Sequence, residues 1–156
     1  MIYLLMIPFL ALTYVAWTYI HEYAHLLMTK RFVEVKSFSI KAYPHNHPTL
    51  GFVFGSVSYD YEETLTDYQL AWCSFAPRIP DLIGCVLFTL DVSNPFYLVF
   101  FGGALVDLVR GSLPLRPTSD ICRYCGGWGW SVSAVAYFQI LIVCGVLMLK
   151  CVSFCV

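Results

Sequence analysis

Five consecutive residues, His21-Glu22-Tyr23-Ala24-His25, form the pattern HExxH. On a helix, positions i and i+4 stack on one face, so both imidazoles can reach a single ion. The glutamate beside the first histidine is then placed to take a proton from a metal-bound water, which is zinc-hydrolase chemistry. Residues 2–29 carry Glu22 as their only formally charged side chain. Ionisable groups inside an apolar helix are costly and by default mark a functional site. The alternative is a pair of histidines bridging neighbouring helices with Glu22 as a buried, paired acid. Three costly groups at ligand spacing favour one common cause, a zinc ion.

A catalytic zinc usually takes three protein ligands and keeps one position open. The extended form HExxHxxGxxH fails, because Met28 and Arg31 stand at its Gly and His positions. A glutamate from a later helix also fails, since none occurs after Glu63. The candidates for the third ligand are therefore Asp67, Asp81, Asp91, Asp107 and Asp120, or His45 and His47. Asp107, in the apolar stretch GGALVDLVR, is at the same time spaced to pair with Arg110 at i+3.

The elements that must position these groups belong to a membrane protein. In 156 residues, 59% are hydrophobic and 12% charged, where an ordinary globular domain has about a quarter charged. Mean hydropathy is +0.70. A soluble fold of this size could not hide so much apolar surface, so the excess faces lipid. Nine Lys and Arg against ten Asp and Glu leave no basic surface for nucleic acid. Seven cysteines, an odd number and mostly in apolar runs, read as free thiols. The first basic residue is Lys30, so no cleavable signal peptide is expected.

Four spans are expected, at about 2–29, 71–90, 95–109 and 129–149, in one membrane-embedded domain covering 1–156. The second contains AWCSFAPRIPDLIG, and its prolines predict a break with the spanning helix starting near Pro80. Between the first two spans, 33–61 alternates in short stretches around PHNHPTLG and predicts a β-hairpin with that segment as its turn. Residues 110–128 read as a polar, Gly/Pro-rich connection, with Gly126-Gly127-Trp128-Gly129-Trp130 a flexible lead-in to the last span. Tyr14, Trp17 and Tyr19 read as packing residues. Lys30, Arg31, Lys36 and Lys41 follow the first span, and Arg110, Arg116 and Arg123 the third. With four spans both groups fall on one side, the cytosol by the positive-inside rule; Lys150 fits this poorly. The histidines then lie roughly 8–14 Å below Lys30 at 1.5 Å per residue, within reach of the 110–128 loop and of water.

These motifs resemble the site-2 protease family, zinc metalloproteases that cut within the membrane. HEYAHLLMTKRF looks like the family's first element, with small Ala24 where the family favours a small residue. FAPRIPDL looks like its Gly-Pro-x-x-Asn-like element, and SLPLRPTSDIC like its Asn-x-x-Pro…Pro-Leu-Asp-Gly-like motif. The likeness spans about residues 15–125. Ile121 stands where the family has Gly, Ser112 near its Asn, and Pro114 one position out of register. Carried over residue by residue, it implies His21, His25 and Asp120 as zinc ligands and Glu22 as general base, with Asp107 the alternative third ligand. The implied activity is that of a zinc metalloendopeptidase acting on membrane proteins or peptides, its site toward the cytosolic face. The hairpin would hold an extended substrate strand or cover the site as a lid. Selectivity would come from the hairpin, the spans or a partner chain. Two rivals remain: a catalytically silent homologue that binds membrane partners, and a metal-handling membrane protein. Cys122 and Cys125 form a CxxC that His45 and His47 could complete as a second metal site; a turn and two free thiols are the default.

Overall fold

The computed structural model describes residues 2–48, 51–90 and 94–155, with side chains described for residues 6–152 within those limits. Its elements follow in the order α1 (Ile2–Phe32), β1 (Ser37–Lys41), β2 (His45–His47), β3 (Gly51–Val53), β4 (Ser56–Asp60), α2 (Asp67–Phe75), α3 (Arg78–Thr89), α4 (Pro95–Ser112), α5 (Asp120–Trp128) and α6 (Val132–Cys155). The protein is mostly helical, with the expected β insert after the first helix.

Local chemistry explains the boundaries. Thr66 and Gln69 form a reciprocal capping box that starts α2. Asn94 caps α4 by accepting from the Phe96 amide, and Pro95 occupies the first turn. Gly129, at φ +70°, ends α5 in the left-handed conformation that a side chain disfavours. The break in the second apolar block lies at Ala76–Pro77, not at Pro80. Pro80 sits in the first turn of α3, where a missing amide costs no hydrogen bond.

Among the described residues two helical stretches, 67–89 and 132–152, are long and apolar enough to cross a membrane, against the four expected. Both suit membrane association, α6 more than the other. Within 132–152 only Gln139, Val143 and Lys150 are buried, and Tyr137, Phe138, Leu141, Met148, Leu149 and Val152 turn outward. Such a surface needs apolar surroundings. Lys150, which fits the charge pattern poorly, is buried, and its amine donates to the Leu90 carbonyl at 2.6 Å. It satisfies the end of α3 rather than marking a cytosolic loop.

The hairpin forms, but the expected turn is shorter than PHNHPTLG. β1 pairs antiparallel with β4 from Ser37↔Asp60 to Lys41↔Ser56, and β2 with β3 from His45↔Val53 to His47↔Gly51. Between the two ladders the three residues 42–44 oppose the two residues 54–55, a one-residue bulge that bends the arm. The bend lowers Gly55 onto α1. A Cβ there would overlap Thr18 and come within 3.0 Å of Glu22 Oε1 and 3.2 Å of the Lys41 carbonyl. Tyr14 adds a hydrogen bond of 2.8 Å to the Phe54 carbonyl.

Two small cores hold the helices. Trp17 is buried as expected and donates to the Phe100 carbonyl at 2.5 Å. Gly84 and Gly103 leave room for its indole, which a Cβ at either would strike. Tyr14 ties the hairpin down, whereas Tyr19 is half exposed and stacks on Tyr23 rather than entering the core. The stretch expected as a connection is in large part helix α5. It turns Ile121, Tyr124 and Cys125 onto Ala71 and Phe75. Gly126 and Gly127 lie within that helix rather than in a flexible lead-in. A Cβ at Gly127 would press on Ala71 and the Asp67 carbonyl at 2.7 Å, so two small residues let α5 lie close against α2.

Candidate metal centre

One turn of α1 presents His21 and His25 on the same side, their ring centroids 5.1 Å apart. Asp120, the first residue of α5, closes the set. Its Oδ2 lies 3.3 Å from His21 Nε2 and 3.3 Å from His25 Nε2. The three residues offer ligand atoms that all lie within 4.8 Å of one another. Two ligands at about 2.0–2.1 Å from an ion, set at the tetrahedral angle, stand roughly 3.3 Å apart, so the spacing fits zinc.

The far side of each imidazole decides its protonation. His25 Nδ1 lies 2.7 Å from the Cys73 carbonyl, which can only accept, so this nitrogen donates. His21 Nδ1 lies 2.7 Å from Asp107 Oδ2. The Arg78 guanidinium approaches the same nitrogen at 3.5 Å, but the shorter carboxylate contact sets the tautomer. Both Nε2 lone pairs therefore point at Asp120. Three acceptors facing one point could hold a cation between them.

Asp107 is thus placed behind His21, not beside His25. It also pairs with Arg110 at 2.5 Å, the i+3 contact expected from sequence. Asp81 joins His21 and Asp107 in a second group with metal-ligand spacing, yet Arg78 already supplies its positive charge. The guanidinium is fully buried, meets Asp81 Oδ2 at 2.9 Å and donates to the Asp107 carbonyl at 3.2 Å. Gly111 makes room for it, since a Cβ there would overlap the guanidinium. Removing one member of such a buried pair exposes the other to an uncompensated charge. Arg78→Met is expected to lower stability by about 3–5 kcal/mol, and adding Asp81→Leu to recover most of it. Thermal unfolding in detergent measures both; a single variant that melts with the wild type would contradict the assignment.

Glu22 is buried beside the ligands, outside the three-residue set, and lines the same cleft. That cleft encloses about 390 Å³ between α1, the segment 52–57 and the loop ahead of α5. Tyr59 also lines it; burial, with Glu22 among the smaller causes, pushes the phenol pKa up and keeps it a proton donor.

The other sequence candidates join no metal-capable group among the described residues, although His47 lines the same cleft. Asp67 starts α2 and belongs to no metal-capable group among the described residues; Asp91 lies outside the described residues. His45 and His47 are in strand β2 rather than a turn. His45 bonds Ser56 Oγ at 2.9 Å and the Tyr43 carbonyl at 2.8 Å. Cys125 is buried against Ala71 and Tyr124, and no metal-capable group among the described residues includes Cys122 or Cys125. The six described cysteines are free. Sequence reasoning missed the Cys73 carbonyl and Arg78. A backbone acceptor carries no residue signal, but a charged Arg78 within an apolar block was visible. Comparison with protein-family models, curated proteins and solved structures found no match.

Proposed function

We propose that this protein is an intramembrane zinc metalloprotease of the site-2 protease type. The observation that carries the reading is the convergence of His21 Nε2, His25 Nε2 and Asp120 Oδ2, each imidazole held in the ligating tautomer by an acceptor behind it. His21, His25 and Asp120 would hold the ion. When bound, zinc supplies a Lewis acid for the scissile carbonyl and makes a nearby water acidic enough to react near neutral pH.

The remaining work falls to side chains of this chain. Glu22 takes the proton from the attacking water and returns it to the leaving nitrogen. Asp107 and the Cys73 carbonyl keep the imidazoles oriented, which raises their basicity as ligands. A membrane helix has its carbonyls tied up internally, so a substrate must unwind before it can be cut. The segment 52–57 along the cleft can pair with the extended chain. The Tyr59 hydroxyl offers a neutral donor in the same wall.

In this reading α1 and α4 join the two apolar stretches to make four spans. α1, with 31 residues, is about 46 Å long, more than a bilayer core. The basic residues 30–41 and 110–123 flank the cleft end, which the positive-inside rule assigns to the cytosol. Chelation provides the test. In detergent, the purified protein is expected to cut a peptide containing an apolar membrane segment, to lose that activity with a zinc chelator, and to regain it with added zinc. Cleavage that persists through complete metal removal would overturn the proposal.

A further inference from the structure

The charges that line the cleft are divided by sign. Glu22 and Asp120 line it together with Arg110, Arg116 and Arg123. No other acidic side chain lines it among the described residues. Arg110 is engaged by Asp107 and lies 5.6 Å from the Phe54 ring centroid. Arg123 is exposed on α5, three residues beyond Asp120. Arg116 is exposed in the loop ahead of α5 and reaches the tip side of the hairpin. There a Cβ at Gly51 would meet its guanidinium nitrogens at 3.7 and 3.9 Å. The two arginines therefore flank Asp120 in the chain and line the same cleft.

We propose that Arg116 and Arg123 select substrates carrying acidic side chains next to the segment that enters the cleft. This rests on the protease reading and gives it a substrate class. A guanidinium presents forked N–H donors that match a carboxylate and is charged at every working pH. Two of them near an ion site repel a basic segment and favour an acidic one. A lipid phosphate would satisfy the same chemistry. The acidic peptide is favoured because these arginines line the same cleft as Glu22, Asp120 and the segment 52–57, so a chain bound there lies beside them.

The test uses two synthetic peptides with one apolar segment, flanked by Asp and Glu in the first and by Asn and Gln in the second. Binding is measured on the full-length Glu22→Gln protein in neutral detergent, and cleavage on the wild type. The acidic peptide is expected to bind about fivefold to tenfold more tightly at low salt, with the difference shrinking as salt rises. Adding Arg116→Gln and Arg123→Gln is expected to abolish the preference while zinc content is kept. Arg123→Gln alone, at an exposed position, is expected to remove part of it. Equal affinity for both peptides, or a preference that survives loss of both arginines, would overturn the inference. So would loss of the preference when phosphatidylserine is added to the micelles, which would assign the arginines to lipid. A binding preference without wild-type cleavage would sink only the protease reading, and cleavage without preference only the selectivity.

Discussion

Glu22→Gln is expected to leave the zinc content of the purified protein at its wild-type value and to lower peptide cleavage by about 10²–10⁴-fold, the usual contribution of a positioned general base. The two halves of this expectation rest on different observations. Zinc is kept because Glu22 lies outside the convergent set formed by His21, His25 and Asp120. Cleavage is lost because the amide has the shape of the carboxylate but cannot accept the proton. Gly55 lies close over Glu22, which leaves little room for another side chain to take its place. The measurements are metal analysis and single-turnover cleavage of the apolar-segment peptide. A variant that cuts as fast as the wild type would remove Glu22 from the chemistry. A wild type that binds peptide or carries metal across vesicles, but never cuts, would instead favour the silent-homologue or metal-handling readings.

Metal occupancy should divide four polar residues around the site into two groups. His21→Ala, His25→Ala and Asp120→Ala each remove a ligand atom and are expected to abolish zinc retention after dialysis. Asp107→Asn keeps a hydrogen-bond acceptor near His21 Nδ1 and is expected to weaken zinc binding by about 10–100-fold without abolishing it. The distinction follows from position: Asp107 touches the nitrogen of His21 that faces away from Asp120. Retained zinc in the Asp120 variant, with complete loss in the Asp107 variant, would exchange the two roles. The conservative change at Asp107 matters because alanine there would leave both His21 Nδ1 and Arg110 with no side-chain acceptor at that position.

How far these roles could be read from sequence differs by residue. HExxH needs one helical turn to act, and residues 2–29 could form little else, so the pairing of His21 with His25 was legible at once. The third ligand was not legible in that way, because five aspartates and two histidines satisfied the same donor requirement. Resemblance pointed to Asp120, with Asp107 as the rival, and both residues turn out to contact the same imidazole. The hairpin arm was visible in the alternation of 33–61, whereas the bulge opposite Gly55 was not, since one extra residue leaves no mark in composition.

What the chain determined by itself is what short-range geometry controls: an apolar helix with two imidazoles one turn apart and an acid beside the first, in a composition with 59% hydrophobic residues. What only the tertiary structure decided is which distant groups meet those imidazoles. Asp120 reaches them because α5, expected as loose connection, folds as a helix with a buried face and lies close on α2 through Gly127 and Ala71. Asp107 falls behind His21 because α4 packs along α1 on the other side, where Gly103 admits Trp17 and Gly111 admits Arg78. Periodicity along a helix describes its own faces. Which neighbour covers each face depends on shape complementarity between segments about a hundred residues apart in the chain, and no local pattern encodes that.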